Sequence, residues 1–433
     1  MARVEAARTP VAAPAKAVAT RQQSAAKSRI GKAYELLAGQ PASLAGLPME
    51  ERGNVVVSAV LDDAGNTVVL SRVGDLVWEM WPFVTTPNTA KYRKRLDWSD
   101  IPQSYREACQ NVLYHYWKVG RSGWAPPGMA SLLNALKHLR IFCRYVASIG
   151  LQSLSDVQPL HVANFVHSQM SAGLSARSLE KQFSGLELLY GFRDQHEASL
   201  LVHPWPESSA AEVAGWVGER GKDARKVSLT PLIPVEVAQR LYRHAKGILD
   251  HADELLNGRD SGERSAFREP CITAIRDACF YLLGVLTGMR SSELSSIEVG
   301  AGRTEVSNGI TFHWVASVEH KTKKGRVEYL MPSMGHLILQ IMERWSQPYR
   351  ERLAWQIAAM ESQPGQLTTK QLQWLATART NILRLFLGNG NDIVPVSGTG
   401  WGLKLQRLAR TAGTDWKLAP HQMRRLYAYT FVR

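Results

Sequence analysis

A chain of 433 residues is longer than one hydrophobic core usually serves, so two or three domains are expected. With 45% hydrophobic and 21% charged residues it has the make-up of a globular protein, which excludes a fibrous or wholly disordered chain. A formal charge of +14 favours a polyanionic partner, nucleic acid ahead of an anionic membrane.

The first 50 residues are rich in Ala, with scattered Arg and Lys and little acid. That composition is shared by transit peptides and disordered basic arms; without a continuous apolar core it is not a secretory signal, and a flexible arm is expected. Residues 51–100 form a small β-rich element, with two β-branched runs around Asp62-Asp63-Ala64-Gly65-Asn66 that predict a hairpin.

Residues 101–205 read as helices. Leu132, Leu136, Leu139, Cys143 and Val146 recur at helical spacing, while Lys137, Arg140 and Arg144 line another face. A second helix is expected near Gln158-Pro159, with proline in its first turn. A third has Ser175 as N-cap and Phe183, Leu186 and Leu189 facing inward. Across residues 91–150 ten basic residues face only Asp97, Asp100 and Glu107, a bias that fits phosphate contacts as well as a solvated face. Residues 206–228 lack periodicity and read as a linker to a second region, 229–433, whose first helix begins at Pro234.

Cys109, Cys143, Cys271 and Cys279 form no CxxC pair, so no zinc site is expected. Cys143 and Cys279 lie in apolar helical runs, as buried reduced thiols do in a reducing compartment. The longest apolar run, CFYLLGVLTGM (279–289), is too short to span a bilayer, and no membrane association is expected.

Three stretches of the second region carry chemistry. In TGMRSSEL the apolar helix breaks at Gly288, which places Arg290 at a turn at the edge of the core. The fork of Arg290 suits phosphate oxygens, although a salt bridge to Glu293 is an equally simple role. Next, Phe312, Trp314, Ala316 and Val318 alternate with polar residues, as do Val327, Tyr329 and Met331, predicting a hairpin tipped by Lys321-Thr322-Lys323-Lys324-Gly325-Arg326. Such a tip can present an ammonium to a leaving oxygen, or can simply be solvated. Finally, Pro420 suits the first position of a helix on which His421 and Arg424 lie three apart, beside unpaired N–H groups and the positive dipole end.

TGMRSSEL, the lysine-tipped hairpin and HQMRR behind a proline, in that order, resemble the tyrosine recombinases, or phage-type integrases, over roughly residues 101–433. The resemblance implies a mainly α, α+β chain: a helical core-binding domain over 101–205 and a catalytic domain over 229–433 containing a small β-sheet, after a small β-rich N-terminal extension. It implies cleavage and rejoining of double-stranded DNA through a 3′-phosphotyrosine, with no metal or other cofactor, by a homotetramer assembled on DNA in a bacterial cytoplasm. Arg290 and Arg424 are then the clamp on the scissile phosphate, His421 a further donor to it, and Lys321 the acid for the leaving oxygen, with Lys323 or Lys324 as substitutes. Glu293 would buttress Arg290, while Lys137, Arg140, Arg144, Arg177 and Lys181 would contact backbone phosphates.

The family places its nucleophilic tyrosine on a helix well past the position of His421, so the catalytic domain is expected to be incomplete at its C-terminus. Tyr427 and Tyr429 are read as packing residues. The alternatives are a type IB topoisomerase and a non-catalytic DNA-binding accessory or regulatory protein. Residues 342–386 look like inserted or extended helices, with Trp345, Trp355 and Trp374 expected in the core.

Overall fold

The computed structural model describes residues 36–217, 230–262, 268–322, 324–362, 367–388, 390 and 393–431. Most of the expected N-terminal arm, much of the expected linker, and Lys323 lie outside the described residues. Helix makes up 55% and strand 12% of the chain, and the strands form small antiparallel sheets, an α+β organisation. Two compact units emerge: one comprises Ala33–Thr85 and Thr89–Pro231, the other takes Thr86–Asn88 and Leu232–Arg433 among its residues.

In the first unit the expected hairpin is formed by β1 (Val56–Leu61) and β2 (Thr67–Arg72). Gly65 adopts φ +86°, and the Asp62 carboxylate accepts the Asn66 backbone and side-chain N–H groups at 2.8 and 3.0 Å, which closes the turn. A second pair joins β3 (Val77–Glu79) to β4 (Arg95–Asp97). Four helices follow: α1 (Gln103–Val119), α2 (Met129–Ser148), α3 (Pro159–Ser171) and α4 (Ala176–Gly191). The start signals act as expected: Pro159 opens α3, and the Ser175 hydroxyl accepts the Ser178 N–H ahead of α4.

Residues 51–100 do not form a core of their own. Val57, Trp78, Leu96 and Trp98 share one hydrophobic cluster with Tyr105, Leu139, Phe142, Phe183 and Leu186 of the helices. Trp205, Ala210 and Ala214 belong to it too, so packed structure continues into the stretch read as linker. Cys109 and Cys143, 34 residues apart in sequence, place their sulfurs 3.5 Å apart between α1 and α2 as free, buried thiols.

The second unit is built around α7. Its elements in order are α5 (Val235–Asp250), α6 (Ala252–Asp260), α7 (Arg268–Thr287), a single turn at Ser291–Leu294, and strands β5 (Gly302–Ser307), β6 (Ile310–Glu319) and β7 (Gly325–Met331). Then come α8 (Met334–Glu361), α9 (Thr369–Asn381), α10 (Gly398–Thr411) and α11 (Pro420–Phe431). Ile275, Cys279, Phe280, Leu282 and Leu283 of α7 are enclosed on nearly all sides, and Phe280 stacks on Trp401 with ring centroids 3.5 Å apart.

The sequence reading understated α7. Its segment Pro270–Thr287 is long and apolar enough to cross a bilayer, with mean hydropathy 1.3, but 78% of that segment is buried inside the protein. Its apolar character is that of a central core helix. Strand β5 was not anticipated, because each of its residues from Arg303 to Ser307 is exposed and no alternation marks it. It pairs with β6 through the Asn308-Gly309 turn, whose φ angles of 51° and 76° match the twist of a tight hairpin.

One core expectation fails. Trp345 is fully buried, with its indole N–H on the Ile272 carbonyl at 2.7 Å, and Trp374 is half-buried, but Trp355 is 71% exposed. Trp355 lies ten residues after Trp345 on α8, nearly 80° short of three full turns, which carries it off the buried stripe.

Candidate functional site

The site is assembled on the turn that ends α7. Thr287 closes the helix by bonding its hydroxyl to the Leu283 carbonyl at 2.6 Å, and Gly288 then reverses the chain at φ +65°. Arg290 becomes the N-cap of the turn Ser291–Leu294, with its backbone N–H on Glu293 Oε2 at 2.7 Å. Here the two roles read for Arg290 coincide: Nη1 donates to Glu293 Oε1 at 2.6 Å, and also to Glu319 Oε1 at 3.0 Å. Nη2 and Nε form no hydrogen bond among the described residues. One edge of the guanidinium is therefore fixed and the other is unbonded among the described residues.

Glu293 is fully buried, and its charge is matched by Arg290. Burial first, and then the Glu293 charge, push the Tyr329 phenol above its ordinary pKa, so it stays a donor. The Ser317 hydroxyl bonds the Glu293 carbonyl at 2.6 Å and ties the turn to β6. Glu319 is held below the usual carboxylate range, first by the Thr322 hydroxyl and then by Arg290.

Helix α11 docks on the same turn by small-to-large packing. A Cβ at Gly284 would meet the Met423 thioether at 2.8 Å, and one at Gly288 would meet the Tyr427 ring at 2.5 Å. Met423 and Tyr427, four residues apart, thus ride on two glycines four residues apart. This seats Arg424, whose Nη1 donates to the Gly288 carbonyl at 3.1 Å, two residues ahead of Arg290. Gln422 anchors the helix start by accepting the Ala419 N–H at 2.9 Å. Tyr427 is a packing residue, as expected, whereas Tyr429 is 42% exposed.

Of the residues expected to act on a phosphate, the structure gathers Arg290, Glu293 and Arg424 on this turn. Lys321 follows Glu319 by two residues and is exposed, as is Lys324; neither makes a hydrogen bond or ion pair among the described residues. His421 is exposed on the first turn of α11, likewise without a hydrogen bond. Among the described residues no group of His, Cys, Asp or Glu is placed to hold a metal ion.

Sequence reading missed Glu319, Ser317 and Tyr329, although period two along β6 puts 315, 317 and 319 on one face. It also missed His320 and Arg384. The His320 ring lies 2.8 Å from the Ser296 hydroxyl, while Arg384 bonds the Ser296 carbonyl and pairs with Glu298 at 3.2 Å. Burial, then the Arg384 charge, lower the His320 pKa. Arg384 is separated from this turn by the whole sheet and two helices, and no local signal points to it.

The expected DNA-contacting residues of the first unit fall into three groups. Lys137 of α2 and Lys181 of α4 are exposed and lie close enough to His138 to act on its charge. Arg140 and Arg144 both pair with Asp100, at 3.0 and 3.1 Å. Arg177 pairs with Glu180 at 3.7 Å and lies over the Trp216 ring. Compared with known protein families and with curated proteins, the sequence matches none.

Proposed function

We propose that this chain is a site-specific DNA recombinase of the tyrosine type, and that the turn 287–293 with α11 holds the scissile phosphate. One observation carries the reading. Two arginines far apart in the sequence of the second unit are tethered to one turn, Arg424 at the Gly288 carbonyl and Arg290 by Glu293, and each keeps part of its guanidinium unbonded among the described residues. Two such forks suit the non-bridging oxygens of a phosphodiester as charge builds on them. The first-turn N–H groups of α11 and His421 add donors, and Lys321 supplies the acid for the leaving oxygen. The resemblance assigns the nucleophile to a tyrosine on a later helix and the assembled state to four copies on DNA.

A second reading, binding without cleavage, is favoured by the placement of Tyr427, whose ring is pressed onto Gly288 and is not offered to a substrate.

The test begins with selection of bound duplexes from a random-sequence pool, using the whole chain. Each phosphate of the selected sequence is then replaced singly by a neutral methylphosphonate, and binding is measured for the protein and for R290K and R424K. One phosphate per strand is expected at which neutralisation removes the effect of both substitutions, a coupling of roughly tenfold. Arginine effects spread evenly over many phosphates, or no selected sequence at all, contradict the proposal. A covalent adduct between this chain and a DNA 3′ end would overturn the second reading.

A further inference from the structure

Arg290 is held by two carboxylates where one would serve as its buttress. Glu293 is local, three residues along the same turn. Glu319 comes from the last position of β6, opposite Gly325, and is itself held by the Thr322 hydroxyl. Both carboxylates take hydrogens from Nη1, at 2.6 and 3.0 Å, and so use both protons on that nitrogen.

One guanidinium against two carboxylates leaves these three side chains with a net charge of −1, with the Lys324 ammonium near enough to act on Glu319. Within a chain of charge +14, a sheltered acid beside an anion-binding arginine works against simple attraction. It must either occupy the arginine until an anion displaces it or aim the arginine. The geometry separates the two. Glu319 sits on Nη1, the nitrogen already taken by Glu293, and leaves the Nε and Nη2 edge free. That edge presents two parallel N–H bonds, the arrangement that meets two phosphate oxygens. With Glu293 alone, the guanidinium can still swing about its last torsion. A second acceptor from another element removes that freedom.

We infer that Glu319 is a positioning residue for Arg290, fixing the guanidinium so that its Nε–Nη2 edge meets a phosphate. The inference rests on the proposed role of Arg290 as a phosphate ligand.

The test compares E319Q with E319M in the whole chain. The two side chains are alike in length and both lack the charge, but only glutamine retains an oxygen acceptor. The protein, labelled with 15N-arginine, is titrated with inorganic phosphate while the Arg290 Nε–H resonance, identified by its absence in R290K, is followed. E319Q is expected to titrate at or below the phosphate concentration needed by the unaltered protein, and E319M at about tenfold higher concentration than E319Q. Equal titration of the two variants overturns the inference, since loss of charge alone would then account for both. An Arg290 resonance that ignores phosphate in the unaltered protein overturns instead the phosphate-site reading beneath it.

Discussion

Gly288 bears two constraints at once, a left-handed φ of +65° and the Tyr427 ring 2.5 Å from where a Cβ would stand. Gly284, one turn earlier, has ordinary helical backbone and faces the far end of the Met423 side chain, with Leu294 Cδ1 at an ordinary 3.4 Å. G288A is therefore expected to cost more than about 2 kcal/mol, combining backbone strain with a ring that cannot yield. G284A should stay within about 1 kcal/mol of the parent, since better helix propensity offsets the shift of a thioether. Urea midpoints decide it, and equal losses at the two positions would remove the ring contact from the explanation. In the first unit, burial first, and then Lys137 and Lys181, push the buried His138 down to about 4. The unfolded chain, with a histidine pKa of about 6.5, binds more protons between those values, so stability is lost as pH falls from about 6.5 towards 4. H138Q should flatten that part of the stability–pH curve; an unchanged slope would show that His138 does not produce it.

Among elements, α7 is joined to α10 by ions as well as by Phe280 and Trp401. Arg276 is fully enclosed, with Trp345 and Trp401 rings 5.3 and 5.7 Å from its guanidinium, and it donates to Asp277 Oδ1 at 2.8 Å. Asp277 Oδ2 accepts from Arg407 of α10 at 2.6 Å. Removing Asp277 leaves a buried guanidinium without its counter-ion, so D277A is expected to destabilise by roughly 3–5 kcal/mol. R407A, which deletes a half-exposed partner and leaves the inner pair intact, should cost under about 1 kcal/mol. Thermal unfolding of the two variants measures the difference. Element starts were legible because proline and serine announce them locally: Pro159, Ser175, Pro234 and Pro420 stand where the helices begin. Strand β5 was not, because an exposed edge strand buries nothing and so shows no alternation.

At the scale of the molecule, the charge of +14 has a measurable consequence if duplex DNA is the partner. Each phosphate neutralised releases counterions, so with six to ten such contacts affinity should fall about a thousandfold or more between roughly 50 and 200 mM salt. Retention that ignores salt would separate the basic composition from nucleic-acid binding. The two units each enclose a continuous core, and the first extends from the β-hairpins into the stretch read as linker. That boundary was obscured because Trp205, Ala210 and Ala214 are scattered apolar residues without a period, and burial of this kind depends on what they meet.

The sequence alone determined what depends on near neighbours: helix periodicity, caps, the break at Gly288, the β6–β7 hairpin and the concentration of Arg, Lys and His in three short stretches. Those properties follow from backbone geometry and side-chain type within one or two turns, which are the same in any fold. Only the tertiary structure decided that Arg424 reaches back 136 residues to the Gly288 carbonyl, that Glu319 shares Nη1 of Arg290, and that Arg384 stands beside His320. It also decided that the most apolar helix is a core helix and that Trp355 faces solvent. Such contacts join residues whose separation along the chain carries no information about their distance in space. They are set by how the faces of α7, the sheet and α11 pack together.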